Sequence, residues 1–265
     1  MWNLVRQIVI GFNLVSIVGC AGGFGSFARR DSSPEAIETC ARPQIERGVR
    51  KPVLDGIGWV VGIPQKVILW DRRVNNHNVS FETENAVEQY VNELGLSDTK
   101  VRINQYAPID EWHRLVANRE VGWGWRYTLG VWSWLDEAIL PGRIFGGDHY
   151  NPYTNTISIY SDAPAIAIKE GSRARDVRSR RLPGTYAAVN SLPLVSIWHE
   201  TVATDYAFEY LESARPDVEQ EGYHLLYPAY GAHLGSDLAS FANVPNAIGA
   251  VVGAIPGHIL GRYEG

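Results

Sequence analysis

The chain has 265 residues, 45% hydrophobic and 20% charged, which is enough to bury one sizeable core. Its formal net charge of −5 argues against non-specific nucleic-acid binding as the main role, and no zinc-finger, Walker or Rossmann pattern stands out. Nine Trp and thirteen Tyr point to an aromatic-rich core or an aromatic-lined cleft.

The N-terminus reads as an address. Met1 to Gln7 carries one positive charge, Arg6, and an apolar run follows from Ile8 to Val18, interrupted by Asn13 and Ser16. The run is short of the ~20 residues a spanning helix needs and reads as the core of a signal peptide over 1–19. It ends Ile17-Val18-Gly19-Cys20, which resembles the bacterial lipobox. That resemblance implies lipidation of Cys20 and a lipid-anchored place in the bacterial cell envelope, on the periplasmic or outer-membrane side. Residues 20–50 then read as the lipidated Cys and a polar tether. Cys40 is left unpaired if Cys20 is lipidated; otherwise the two can form a disulfide.

The main domain is expected over 51–222. Val67-Ile-Leu-Trp70 reads as a short buried strand. Ser80 is a plausible N-cap for a helix from Glu82 to Leu94 that ends at Gly95. Val101 to Tyr106 alternates and reads as a half-buried strand, so 67–106 is expected to form a β-α-β unit with parallel strands. Asp110 starts a short helix through Asn118. The segment Val121 to Leu140 holds Trp123, Trp125, Trp132 and Trp134, and the favoured reading of that cluster is core packing. Its glycines argue against one uniform helix, although Leu129 to Leu140 fits one. Arg143 to Phe145 and Thr156 to Tyr160 read as strands around a turn-rich loop that carries His149, Tyr150 and Tyr153.

A turn at Ser161 to Pro164 leads into a helix over 165–176, and a second helix runs from Val195 to Tyr206. A strand, a helix bearing His-Glu-x-x-His and a later helix bearing Glu make the layout of the gluzincin type of zincin. Residues four apart share a helix face, so two His can grip one zinc, the later Glu completes the site, and the inner Glu acts as general base on the bound water. Here the matching segment is Lys169-Glu170-Gly171-Ser172-Arg173. Over residues 66–212 the chain resembles a zincin-like metallopeptidase domain whose motif is degenerate. Glu170 matches the general base, Lys169 and Arg173 replace the histidines, Glu200 matches the third ligand, and Asp205 is a candidate support. Asp71 to His77 and Gly146 to Tyr153 also look like bacterial lipoproteins with an intact motif.

Lys and Arg have no lone pair for a metal when charged. The expectation is that Lys169 and Arg173 pair with Glu200 in place of zinc, with no cofactor and no zinc hydrolysis. The competing reading is a mostly solvated basic helix with no site. A further alternative is a zinc peptidase with unusual ligands drawn from His149, His199, Glu170 and Glu200. Ser191, Ser196 and Thr201 lie near His199 in sequence, but no Gly-x-Ser-x-Gly elbow accompanies them.

The last segment, 223–265, is expected to form a glycine-zipper-like helical hairpin. Gly249, Gly253, Gly257 and Gly261 are four apart, and Gly231, Gly235 and Ala239 form a shorter ridge. The ridges can pack on each other, on a second copy, or against the membrane, and Pro256 is expected to kink the tail. The whole reads as an α+β envelope protein, with a small mixed sheet and packed helices, that binds or scaffolds; the sequence names no protein or peptide ligand, and no nucleic acid is expected. A structural role driven by the glycine ridges is the remaining alternative.

Overall fold

Alternating residues place a small sheet between two chemically different layers. The computed structural model describes residues 44–192 and 195–265. The signal peptide, Cys20 and Cys40 lie outside them. Strands β1 (Ile45–Arg47), β2 (Lys100–Ile103), β3 (His149–Asn151) and β4 (Thr156–Ile159) form a mixed sheet in the order β1-β2-β4-β3. The first three in that order run parallel, and β3 is antiparallel to β4. Val101 lies beside Ile157 and Ile103 beside Ile159, and all four join the helical core.

The other face of the sheet is polar yet also buried. Arg102 is only 2% exposed. It binds Glu46 at 2.8 Å, Glu111 at 2.5 Å, and Asp110. Asp110 and Glu111 come from helix α4 (Pro108–Ala117), which covers this face. The half-buried strand read from the alternation is therefore buried on both sides, because its polar residues find charged partners.

On the apolar face lie α3 (Phe81–Glu93) and α7 (Pro164–Arg178). Ser80 caps α3 by accepting from Thr83 N at 3.3 Å, and Gly95 beyond its end takes φ 65°. Val87, Tyr90 and Val91 pack with Ile166 and Ile168 of α7 in one core cluster. Gly171 lets the two helices meet, since a Cβ there would run into the Tyr90 ring.

Three expected elements differ. Val67 to Leu69 belong to a helix, α2 (Ile63–Leu69), which follows α1 (Pro52–Val61). Four apolar residues show no period, and Pro64 in the first turn favours the helix. The parallel crossover exists, but its first strand is β1, inside the segment read as tether. Arg143 to Phe145 form a turn, because buried Arg143 anchors to Asp55 at 2.6 Å and to the Val49 carbonyl at 2.8 Å. The partner of β4 is instead His149–Asn151.

The Trp-rich segment is helical almost throughout: α5 (Trp123–Trp125), a π-helical turn (Arg126–Gly130) and α6 (Val131–Ile139). Trp125 and Trp134 pack on a second cluster around Leu115, Val121 and Tyr153. Trp123 and Trp132 face solvent instead, so core packing describes only half of the four.

Helix α8 (Pro183–Asn190) leads to α9 (Val195–Ala214), and the chain ends in α10 (Pro216–Phe241) and α11 (Asn246–Glu264). Helices α10 and α11 form a hairpin that runs through Pro228 and Pro256, so the helix continues past the expected kink. Its register is regular. Gly235 faces Gly249, Gly231 faces Gly253, Tyr227 faces Gly257 and Tyr223 faces Gly261. A Cβ on any of these glycines would collide with a backbone carbonyl of the other helix. The described residues fall in one compact unit that includes the hairpin.

Candidate functional site

Helix α7 is polar in composition and buried nonetheless. Lys169, Glu170, Ser172 and Asp176 are each at most 5% exposed. The expectation of a mostly solvated basic helix fails here, because charges on neighbouring elements compensate those of α7. At its N-terminus the Ala165 N–H donates to Glu221 of α10 at 2.9 Å, a carboxylate at the positive end of the helix dipole.

Lys169 and Arg173 lie one turn apart on the face turned to α9. Lys169 Nζ donates to one oxygen of Glu200, and Arg173 Nη2 donates to the other. Arg173 Nη1 also reaches both oxygens of Glu170 at 3.0 Å. Two cations and two carboxylates thus close on one another in an almost dry place, with Glu170 and Glu200 each 3% exposed. Burial works against the charge of Glu200, but Arg173 and Lys169 outweigh it and hold the carboxyl well below its ordinary range. Burial dominates for Glu170 and pushes its carboxyl up, against the pull of Arg173 and Lys169. The two acids are therefore not equivalent: Glu200 is the firm anion, and Glu170 is the more easily protonated group.

A cavity of about 290 Å³ lies against this cluster. Lys169, Glu170, Arg173 and Glu200 form its charged wall, and residues of α2, α10 and α11 form the rest. His233 of α10 and Asp148 also reach it. Arg173 Nε is buried without a hydrogen-bond partner, and His233 Nε2 also lacks one but lies 3.7 Å from the Asp237 carboxylate. The loops Asp71 to His77 and Gly146 to Tyr153 converge beside it: Asn75 N donates to Ser161 Oγ at 2.8 Å, and Ser161 N donates to Asp148 at 2.9 Å.

The remaining expected site residues lie elsewhere. Asp205 is exposed on α9, more than a turn beyond Glu200, and takes no part in the cluster. His149 is held by the Gly147 carbonyl at 2.8 Å and by Glu137 at 3.3 Å. Burial opposes its charge, but Glu137 prevails, and its pKa is raised to about 9. His199 points its Nδ1 at Asp176, 2.7 Å away. That fully buried carboxylate also accepts from Tyr186 at 2.6 Å and from Arg180. His149, His199 and Glu200 thus serve separate partners. Among the described residues no group of three or more His, Cys, Asp or Glu is arranged to hold a metal. Lys169 and Arg173 do not fit a zinc site either, since neither cation has a lone pair to offer.

The sequence reading did not identify Asp176, His233, Asp148 or the Arg102 cluster. Asp176 had a signal: it stands seven residues after Lys169 and therefore on a nearby face of the same helix. His233 had none, because only the return of α10 brings it to the cavity. No protein family, curated protein or solved structure matches this chain.

Proposed function

We propose that this chain is a lipid-anchored protein of the bacterial cell envelope, whose zincin-like domain is non-catalytic and acts as a binding or scaffold module. The observation that carries the proposal is the closure of Lys169 and Arg173 on Glu200. In the gluzincin layout these three positions would hold zinc. Here two fixed cations satisfy the carboxylate and leave no donor set for a metal. Glu170 keeps the general-base position, but its carboxylate is turned to Arg173 rather than to a metal-bound water. The adjoining cavity, where Arg173 Nε has no hydrogen-bond partner, is the place for a small polar portion of a peptide or protein ligand. The lipid anchor rests on Ile17-Val18-Gly19-Cys20.

A peptidase with unusual ligands is less well supported, because His149 and His199 are engaged by Glu137 and Asp176. A purely structural role for the glycine ridges is also less well supported, since those glycines are used within the α10–α11 hairpin. The test is metal content by mass spectrometry on the full chain purified without chelator and then incubated with zinc. No bound zinc is the expected result. Near-stoichiometric zinc that disappears in Glu200→Gln would overturn the proposal.

A further inference from the structure

Helix α11 is apolar on two sides, and only one of them is covered. From Asn246 to Gly261 it carries no Asp, Glu, Lys or Arg. One face lies on α10 through Gly249, Gly253, Gly257 and Gly261. The other presents Ile248, Val251, Val252, Ile255 and Ile259 to solvent, with Val252 60% and Ile259 65% exposed. These residues recur at helical spacing and make a single stripe. A helix that is apolar all round calls for cover on every side, and the described residues supply it on one.

A second set of exposed apolar residues lies on α1 and α2. Helix α1 exposes Val53, Ile57, Val60 and Val61, and α2 exposes Val67. Together α1 and α2 have the length and hydropathy of a membrane segment, but they are bent by 50°. Helix α11 touches the end of α2 at Trp70. Its ring stacks on His258 of α11 at 4.3 Å, Arg262 lies 4.9 Å over it, and His258 bonds the Ile68 carbonyl at 2.7 Å. Exposed basic residues, Arg50, Lys51, Arg72 and Arg262, stand at the ends of these helices. An apolar surface with aromatic and basic residues at its margin suits the interface of a bilayer that contains anionic lipid.

We infer that the outer faces of α1, α2 and α11 lie on a phospholipid surface. The inference rests on the lipid-anchored reading for its geometry. The chain from Cys20 to Gln44 spans at most ~80–90 Å when fully extended, so a lipid on Cys20 leaves this face free to reach the bilayer. No single helix among the described residues is long and apolar enough to cross a membrane, and the α1–α2 pair that has the length is bent by 50°; the contact inferred here is one along the surface. It adds a second, non-covalent attachment beside the lipid on Cys20.

The test uses the full chain carrying Cys20→Ser, which removes the lipid, in flotation with vesicles of phosphatidylethanolamine and phosphatidylglycerol. The chain is expected to float with the vesicles. Adding Val252→Glu, Ile255→Glu and Ile259→Glu is expected to lower the bound fraction about tenfold or more, because three apolar contacts are lost. Circular dichroism should be unchanged, since all three side chains are exposed. Adding Ile10→Glu and Val15→Glu instead should leave binding intact, and loss of binding there would overturn the inference, because the apolar run Ile8 to Val18 would then be what holds the vesicle. Failure of the Cys20→Ser chain to float, or equal flotation of the α11 variant, would overturn the inference. So would a dimer, seen by light scattering without vesicle binding, that the α11 substitutions break. The anchor reading fails by a different readout, the absence of a lipid mass on Cys20 in the wild-type chain, and that outcome leaves the vesicle result to be judged separately.

Discussion

Two helix pairs in this chain achieve close contact by opposite chemistry. Helices α7 and α9 are joined by long charged side chains, Lys169 and Arg173 on one and Glu200 on the other. Helices α10 and α11 are joined by backbone against backbone, across glycines that have no side chain at all. The first contact depends on charge balance and therefore on pH. The second depends on volume and is indifferent to pH. A buried charge pair tolerates changes that keep both partners matched, whereas a glycine contact tolerates almost no addition.

The largest expected effect is therefore steric. Gly235→Leu forces a side chain into the backbone of α11 at Gly249. No rotamer avoids that collision, so the loss should exceed the ~3–5 kcal/mol of a broken buried ion pair. Thermal melting with limited proteolysis of the hairpin would show it, and an unchanged melting midpoint would refute the close packing.

Next comes Glu200→Gln, which leaves Lys169 and Arg173 facing an uncharged amide. It should cost ~3–5 kcal/mol in urea unfolding. The double change Lys169→Met with Glu200→Leu should cost less than Glu200→Gln alone, because it removes both members of the pair and leaves Arg173 with Glu170. If the double variant is the worse of the two, charge balance is not what holds α7 to α9.

The two carboxylates should also part company in their pH dependence. Glu200 has a folded pKa below its unfolded value, so its contribution is present above ~4.3 and is lost as pH falls through the folded value. Glu170 has a folded pKa above its unfolded value, so its contribution is present below ~4.3 and is lost as pH rises through the folded value. Glu200→Gln should flatten the acid limb of the stability profile. Glu170→Gln should gain relative to wild type as pH rises above ~4.3 and should cost less than Glu200→Gln at pH 7. Equal profiles for the two variants would contradict the assigned asymmetry.

The smallest effect is expected at the solvent edge of the same helix pair. Arg175 binds Glu209 at 2.9 Å, but Glu209 is 62% exposed. Glu209→Ala should change stability by no more than ~0.5 kcal/mol, and addition of salt should leave that difference near zero. A larger loss would mean that exposed charges, and not only the buried ones, tie α7 to α9.

What the sequence made legible follows the same division. Helices with strong local signals were readable: Ser80 and Gly95 bracket α3, and the four-residue glycine spacing marks the tail. The pairing of Lys169 and Arg173 with Glu200 was expected from a resemblance rather than from periodicity. Short apolar runs were not readable, and Val67 to Leu69 went to a helix because three or four residues carry no period. Burial of polar residues was not readable either. Arg102 and Asp176 look like surface residues until Glu111, His199 and Tyr186 arrive from elements distant in sequence or from the next turn. The cavity needed α2, α7, α9, α10 and α11 together, and no local pattern encodes such a meeting.

The most direct test of the central claim places histidines at the two cation positions. The variant Lys169→His with Arg173→His would present His-Glu-x-x-His on α7, facing Glu200 on α9. Zinc content would be measured by mass spectrometry on this variant, on wild type, and on the variant with Glu200→Gln added. The account predicts no zinc in wild type, near-stoichiometric zinc in the double variant, and its loss when Glu200 is changed. Stoichiometric zinc in the wild-type chain, or a folded double variant that takes none, would contradict it.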